Sequence, residues 1–112
     1  MHAEIADPAQ KRIFYTGLYH MSLGPQLFDD VDGHYRGMDG QIHTLGANQR
    51  NYTTFSLWDT FRAAHPAYTL IQPERVPDFV NSLIRMAEQS EAGMPVWPLQ
   101  GCLLYTSPSP RD

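Results

Sequence analysis

The sequence has a single cysteine, Cys102, among its 112 residues, which excludes an internal disulfide and a cysteine-based metal cluster. It has no apolar run approaching the roughly 18 residues needed to span a bilayer, and its first residues lack the charged-then-apolar pattern of a secretory signal. With a net charge of -4 and no basic cluster beyond Lys11-Arg12, it gives no electrostatic reason to bind nucleic acid or an anionic membrane. We expect neither kind of partner.

Apolar periodicity is present instead, in a composition of 42% hydrophobic residues that is typical of one globular domain. Asp7 as N-cap and Pro8 at the first helical position predict a helix over about residues 8 to 22, which Gly24-Pro25 ends. A longer helix is predicted over about 73 to 90, with Gly93 as its stop. Its expected core stripe is Val76, Phe79, Val80, Leu83, Ile84 and Ala87.

Between residues 26 and 51 the helical period disappears, and Asp39-Gly40 predicts a two-residue hairpin turn. In that register Arg36 lies opposite His43. One side of the hairpin would carry His34, Arg36, Met38, Gln41, His43 and Leu45. The other side would carry Tyr35, Ile42 and Thr44. A hairpin this small needs to pack on the helices.

Asp29, Asp30, Asp32 and Gly33 resemble part of a calcium loop, because Asp-x-Asp-Gly segments supply oxygen ligands. The full EF-hand pattern fails, since no Glu follows at the required offset. We therefore favour turn-forming aspartates. A histidine-based metal site is also not expected, because His34 and His43 do not face each other in the predicted register.

The densest aromatic cluster, Tyr52 to Gln72, predicts a helix that begins at Ser56, with Asp59 at capping-box spacing and Pro66 breaking or restarting it before a short turn over 67 to 71. Leu57, Phe61 and Ala64 would face the core, and Trp58, Arg62 and His65 would lie on an adjacent stripe. Two interpretations of Trp58, Asp59 and Arg62 stay open. In the first, Trp58 is a core residue, Asp59 caps its own helix and Arg62 makes a surface ion pair. In the second, the three residues form a sugar site, in which a pyranose stacks on the indole and its hydroxyls bind the carboxylate and the guanidinium.

Four blocks of the sequence resemble consecutive blocks of glycoside hydrolase family 92, the calcium-dependent exo-acting alpha-mannosidases. They are Phe-Tyr-Thr-Gly-Leu-Tyr-His (14 to 20), Asp-Val-Asp-Gly-His-Tyr-Arg-Gly-Met-Asp-Gly-Gln-Ile-His (30 to 43), Tyr-Thr-Thr-Phe-Ser-Leu-Trp-Asp-Thr-Phe-Arg-Ala-Ala-His-Pro (52 to 66) and Leu-Ile-Gln-Pro-Glu-Arg-Val (70 to 76). The resemblance implies a mainly α fold, an incomplete piece of a six-hairpin α/α barrel (toroid) with one inserted β-hairpin.

The resemblance also implies the removal of terminal alpha-linked mannose from glycans by inverting hydrolysis. Trp58, Asp59, Arg62 and Trp97 are then substrate-binding candidates, with Trp97 alternatively fixing its loop to the core. The family's catalytic Glu and Asp and its calcium ligands come from later segments, so no catalytic residue is assigned to this chain. A non-catalytic helical scaffold module and another glycosidase built on the same barrel are the alternatives.

The resemblance runs from about residue 10 to residue 101 and ends abruptly at Cys102. We expect residues 1–101 to be part of the catalytic domain and residues 102–112 to be a non-native tail, similar to translated sequencing adaptor and disordered. The remainder of the catalytic domain is the expected partner. Because the apolar stripes would stay partly exposed without it, the isolated chain is expected to be molten or aggregating and inactive.

Overall fold

The structure is a computed structural model, and it describes residues 2–91 and 93–95. It is mainly helical with two small antiparallel strand pairs. The helices are α1 (Pro8–Met21), the single turn α2 (Leu57–Thr60), α3 (Ala64–Ile71) and α4 (Val76–Gln89), with a 3-10 turn at Pro73–Arg75. The strands are β1 (Gln26–Leu27), β2 (His34–Arg36), β3 (Ile42–Thr44) and β4 (Tyr52–Thr53). Within the described ranges, no helix is long and apolar enough to cross a membrane.

Helix α1 confirms the prediction made from its end signals. The Asp7 carboxylate accepts a hydrogen bond from the backbone N–H of Ala9 at 2.9 Å, and Pro8 occupies the first position. At the other end, the Ser22 hydroxyl donates to the Leu18 carbonyl at 2.8 Å. The Tyr68 hydroxyl lies 2.7 Å from the carbonyl oxygen of Met21, so it joins this helix end to α3.

The β2–β3 hairpin forms, but its predicted register is wrong by one residue. Tyr35 pairs with His43, and Arg36 pairs with Ile42 instead of His43. The connecting loop therefore has five residues, numbers 37 to 41. The Asp39 carboxylate in this loop accepts hydrogen bonds from the Gln41 N–H at 2.9 Å and from the His43 ring at 3.0 Å. A slip of one residue moves side chains to the opposite face of a strand pair.

The new register places Tyr35 and His43 on the same face, where their rings stack with centroids 5.6 Å apart. Tyr35 is buried, and its hydroxyl accepts a hydrogen bond from Gln89 Nε2 at 2.8 Å. Gly37 makes this packing possible, because a Cβ there would lie 2.6 Å from Gln89 Oε1. The hairpin thus packs on α4, as its small size requires.

The β1–β4 strand pair was not predicted, because two-residue strands are too short to show a period of two. Leu27 pairs with Tyr52, which brings Tyr52 into the core. The buried hydrophobic cluster surrounds Phe79 of α4. Its members are Tyr52, Phe55, Tyr68, Phe79 and Met86. Tyr52 and Tyr68 meet Phe79 edge-on, with ring centroids 4.7 and 5.4 Å away, an arrangement that aromatic quadrupoles favour.

Helix α4 confirms part of the predicted core stripe. Phe79 is buried, and Val76 and Leu83 pack against the core as expected. Val80 and Ile84 are 49% and 43% exposed, however, and Ser82 and Met86, which lie outside the predicted stripe, are buried. The cause is the segment before β4, which lies along the polar side of the helix. The Ser82 hydroxyl accepts from the backbone N–H of Tyr52 at 2.9 Å, and Arg85 Nη2 donates to the carbonyl of Arg50 at 2.9 Å. The helix is thereby covered on its polar side and left open along part of its apolar stripe.

The aspartates of the loop before β2 take protein partners. The side chain of Asp29 is almost fully buried, and its carboxylate pairs with Arg50 Nε at 3.0 Å. Asp32 accepts from the backbone N–H of His34 at 3.1 Å, and this hydrogen bond lowers the pKa of the Asp32 carboxyl. Over the described part of the chain, no three His, Cys, Asp or Glu side chains converge to hold a metal ion. The hydrogen bond of Asp32 with the backbone two residues further on agrees with the turn-forming interpretation.

Candidate functional site

Three of the four predicted sugar-binding residues, Trp58, Asp59 and Arg62, lie on and just after α2, a helix of one turn. It begins at Leu57 with Ser56 as N-cap, as predicted. The Ser56 hydroxyl does not accept from the helix backbone; it donates to the Asp59 carboxylate. The backbone carbonyl of Ser56 meanwhile accepts from the Thr60 hydroxyl at 3.0 Å. Ser56 therefore fixes both the turn and the carboxylate that the turn carries.

The helix ends after Thr60, and this break contradicts the prediction of a continuous helix up to Pro66. Residues 61–63 form turns, and Ala63 adopts φ -136° and ψ -54° before α3 begins at Ala64. Pro66 lies in the first turn of α3, where its missing N–H would have no helical partner. The proline is thus compatible with a helix start, and the predicted short turn over 67 to 71 is helical instead.

The break separates the predicted stripe of Trp58, Arg62 and His65. Trp58 is 59% exposed, so it is not the core residue of the structural interpretation. Asp59 and Arg62 are also exposed. The Arg62 guanidinium lies over the Phe61 ring, 5.4 Å from its centroid, and pairs with no carboxylate of the described residues. Trp97 lies outside the described residues.

Phe55 anchors the start of this turn in the core. It is 1% exposed, and its ring meets Phe79 edge-on at a centroid distance of 6.1 Å. Thr54, just before it, has a φ of 67°, which is a strained conformation for a β-branched residue. This bend turns the chain from β4 toward α2 and directs Phe55 inward. No residue pattern predicts this bend, because Thr ordinarily favours extended backbone.

His65 lies behind the turn, between aromatic rings. Its ring centroid is 6.4 Å from that of Phe55 and 5.6 Å from that of Tyr68. Both ring nitrogens are buried and lack a well-formed hydrogen bond among the described residues. Burial lowers the pKa of His65 from its ordinary value of 6.5, and the nearby Thr60 backbone only partly opposes this effect. The imidazole is therefore a neutral packing group, which agrees with a structural role.

We expect acidification to destabilise the complete protein through His65. Because the folded-state pKa is lowered, the unfolded chain binds more protons below about pH 6.5, and stability falls as the pH drops through that value. The urea midpoint measured at pH 7.5 and 5.5 should decrease more for the wild type than for His65→Phe, which keeps the ring but cannot titrate. An equal decrease in both proteins would contradict this role of His65.

An apolar groove of about 420 Å3 adjoins the turn and runs between α2, α3 and α4. Leu57 and Phe61 contribute to its wall, so one turn presents apolar side chains to the groove and Trp58 and Asp59 to solvent. The turn can supply an aromatic surface, a hydrogen-bond acceptor and, from Arg62, a cationic donor. These are the groups that bind a sugar ring and its hydroxyls.

Comparisons with known proteins agree with one another. The family model described as the glycosyl hydrolase family 92 catalytic domain matches residues 1–108. The chain is similar to the family GH92 alpha-mannosidase BT3965 from Bacteroides thetaiotaomicron, with 41% identity and a TM-score of 0.83 over 88% of this chain and 13% of that chain. The structure of that enzyme in complex with mannoimidazole matches with 42% identity and a TM-score of 0.78, over 82% and 12% of the two chains. No curated protein matches the chain.

Proposed function

The chain belongs to glycosyl hydrolase family 92, and from this premise we propose that it is part of an enzyme that removes terminal alpha-linked mannose from glycans by inverting hydrolysis. The observation that carries the proposal is the likeness to an alpha-mannosidase at 41% identity with a TM-score of 0.83. Membership in this family also argues against another glycosidase of the same barrel shape. The chain spans 13% of the length of that relative, so the activity is proposed for the complete protein.

Inverting hydrolysis needs two carboxyl groups with different roles. One carboxylic acid protonates the leaving oxygen while a carboxylate activates water on the opposite face of the sugar, at a separation of about 6.5 to 9.5 Å. We place both groups in the part of the protein outside this chain, within a six-hairpin α/α barrel of which this chain forms a piece. The isolated 112-residue chain is then inactive.

Calcium is proposed as the cofactor of the complete enzyme. The described residues do not fit it, because Asp29 pairs with Arg50 and Asp32 pairs with His34, and no set of three candidate ligands converges in residues 2–91 and 93–95. We therefore place the calcium ligands outside this chain and assign its own residues no part in metal chemistry.

Substrate binding is the role proposed for the turn. The exposed indole of Trp58 would stack on the apolar face of the mannose ring, and the Asp59 carboxylate would accept hydrogen bonds from its hydroxyls. Arg62 would donate to ring hydroxyls, and Trp97 would form a second wall. Because the three described side chains face solvent in this chain, the opposite wall of the pocket would come from the remainder of the catalytic domain.

The test is hydrolysis of an aryl alpha-mannoside and an alpha-linked mannobiose by the complete protein. We expect mannose release with beta-mannose as the first product by NMR, because inversion of an alpha linkage gives the beta anomer. A chelator should abolish turnover and added calcium should restore it. The isolated chain should show no turnover under any of these conditions. Failure of the complete protein on every alpha-mannoside would favour the alternative of a non-catalytic helical module.

A further inference from the structure

The groove between α2, α3 and α4 is apolar along most of its surface. It has a volume of about 420 Å3, and its lining is dominated by carbon. Two turns of α4, from Val76 to Leu83, form one wall, and Leu57 and Phe61 contribute to the other. His65 is its single titratable imidazole, and burial favours the neutral form of that ring. A glycan does not suit this surface, because sugar hydroxyls need hydrogen-bonding partners.

The rim of the groove is also apolar. Phe61 is 59% exposed, Val80 is 49% exposed and Ile84, one turn further along α4, is 43% exposed. Single exposed apolar side chains are common on protein surfaces, but an apolar groove lined by two of them, Phe61 and Val80, marks an interaction surface. The wall on α4 is about two helical turns long, or roughly 10 Å. Its natural occupant is a helix or extended segment of similar length with an apolar face.

The comparison with a solved relative indicates where that occupant comes from. The match covers 88% of this chain with a TM-score of 0.83 but only 13% of the relative's chain. The same backbone therefore exists inside a polypeptide several times longer. We propose that the groove binds an uncharged, apolar segment from the part of the catalytic domain outside this chain.

This docking has a consequence for the candidate site, since Leu57 and Phe61 belong to the same short stretch as Trp58 and Asp59. A segment packed on the groove would hold this stretch through Leu57 and Phe61, while Trp58 and Asp59 do not line the groove. The inference rests on the proposed place of this chain in a larger catalytic domain. It does not require that domain to hydrolyse mannosides.

Cysteine accessibility tests the proposal without any measurement of activity. Val80→Cys places a thiol of nearly the same size on the groove wall, and Glu88→Cys places a control thiol at an exposed charged position of the same helix. Both variants are made in a complete protein whose other cysteines are replaced by serine. The rate of thiol modification at each position is measured in this protein and divided by the rate in denaturant.

In the complete protein, we expect modification at position 80 to be at least about 100-fold slower than at position 88, because reaction at position 80 then requires local opening. The rate at position 88 should lie within about threefold of its rate in denaturant. Equal accessibility of positions 80 and 88 in the complete protein overturns the proposal. Protection of position 80 that rises with protein concentration identifies a second copy as the occupant instead and also overturns it.

Discussion

Replacing Phe55 with alanine is expected to lower the free energy of unfolding of the complete catalytic domain by about 3–5 kcal/mol. Phe55 is 1% exposed and meets Phe79 edge-on, so truncation leaves a void among aromatic rings. Collapse of the surroundings is restricted, because Tyr68 is hydrogen-bonded to the Met21 carbonyl and Tyr52 to Arg75. The shift in denaturant midpoint, with the slope of the transition unchanged, measures the loss.

Phe55→Leu is the matched control, because it keeps most of the volume and all of the apolar character. Its loss should be less than about half of that for alanine. A loss below about 1 kcal/mol for Phe55→Ala would show that the site collapses freely, contrary to the packing described. Because Phe55 directly precedes Ser56 and α2, the alanine variant should also bind substrate more weakly at temperatures where it remains folded.

The second large effect is expected at Asp59. In the complete enzyme, Asp59→Asn should lower kcat/KM on an aryl alpha-mannoside by about 10- to 100-fold, or about 1.4–2.7 kcal/mol. Asparagine keeps the size of the side chain and an oxygen that can accept from the Ser56 hydroxyl. The turn is therefore preserved, and the measured loss reports the charge offered to the sugar hydroxyls.

Two further variants test whether Asp59 binds substrate or only supports the turn. Glu88→Gln removes an exposed carboxylate elsewhere and should leave kcat/KM within about twofold of the wild type. Ser56→Ala removes the hydroxyl that holds Asp59, and it should raise KM with a smaller change in kcat. If Asp59→Asn changes kcat/KM by less than about threefold, or about 0.7 kcal/mol, Asp59 is a structural residue only.

Features set by neighbouring residues were determined by the sequence alone. Asp7 and Pro8 define the start of α1, and Gly24 follows its end, because capping acts over one turn of chain. Ser56 occupies the N-cap position of α2 as predicted, although its hydroxyl binds the Asp59 carboxylate and not the helix backbone. The sequence blocks around Trp58 also identified the family. Each of these signals is complete within a short segment, so no knowledge of its packing partners is needed.

Burial and the end of α2 were decided by tertiary structure. The burial of Tyr35 in the hairpin depends on Gln89, a residue far along the chain that donates to the Tyr35 hydroxyl and leaves no room for a side chain at Gly37. The burial of Ser82 on α4 accompanies its hydrogen bond with the backbone N–H of Tyr52, a contact that periodicity does not predict. The break after Thr60 ends the predicted stripe of Trp58, Arg62 and His65, and Trp58 is exposed. A hydrophobic pattern records which side chains can be buried, but the segments that pack against them determine which ones are.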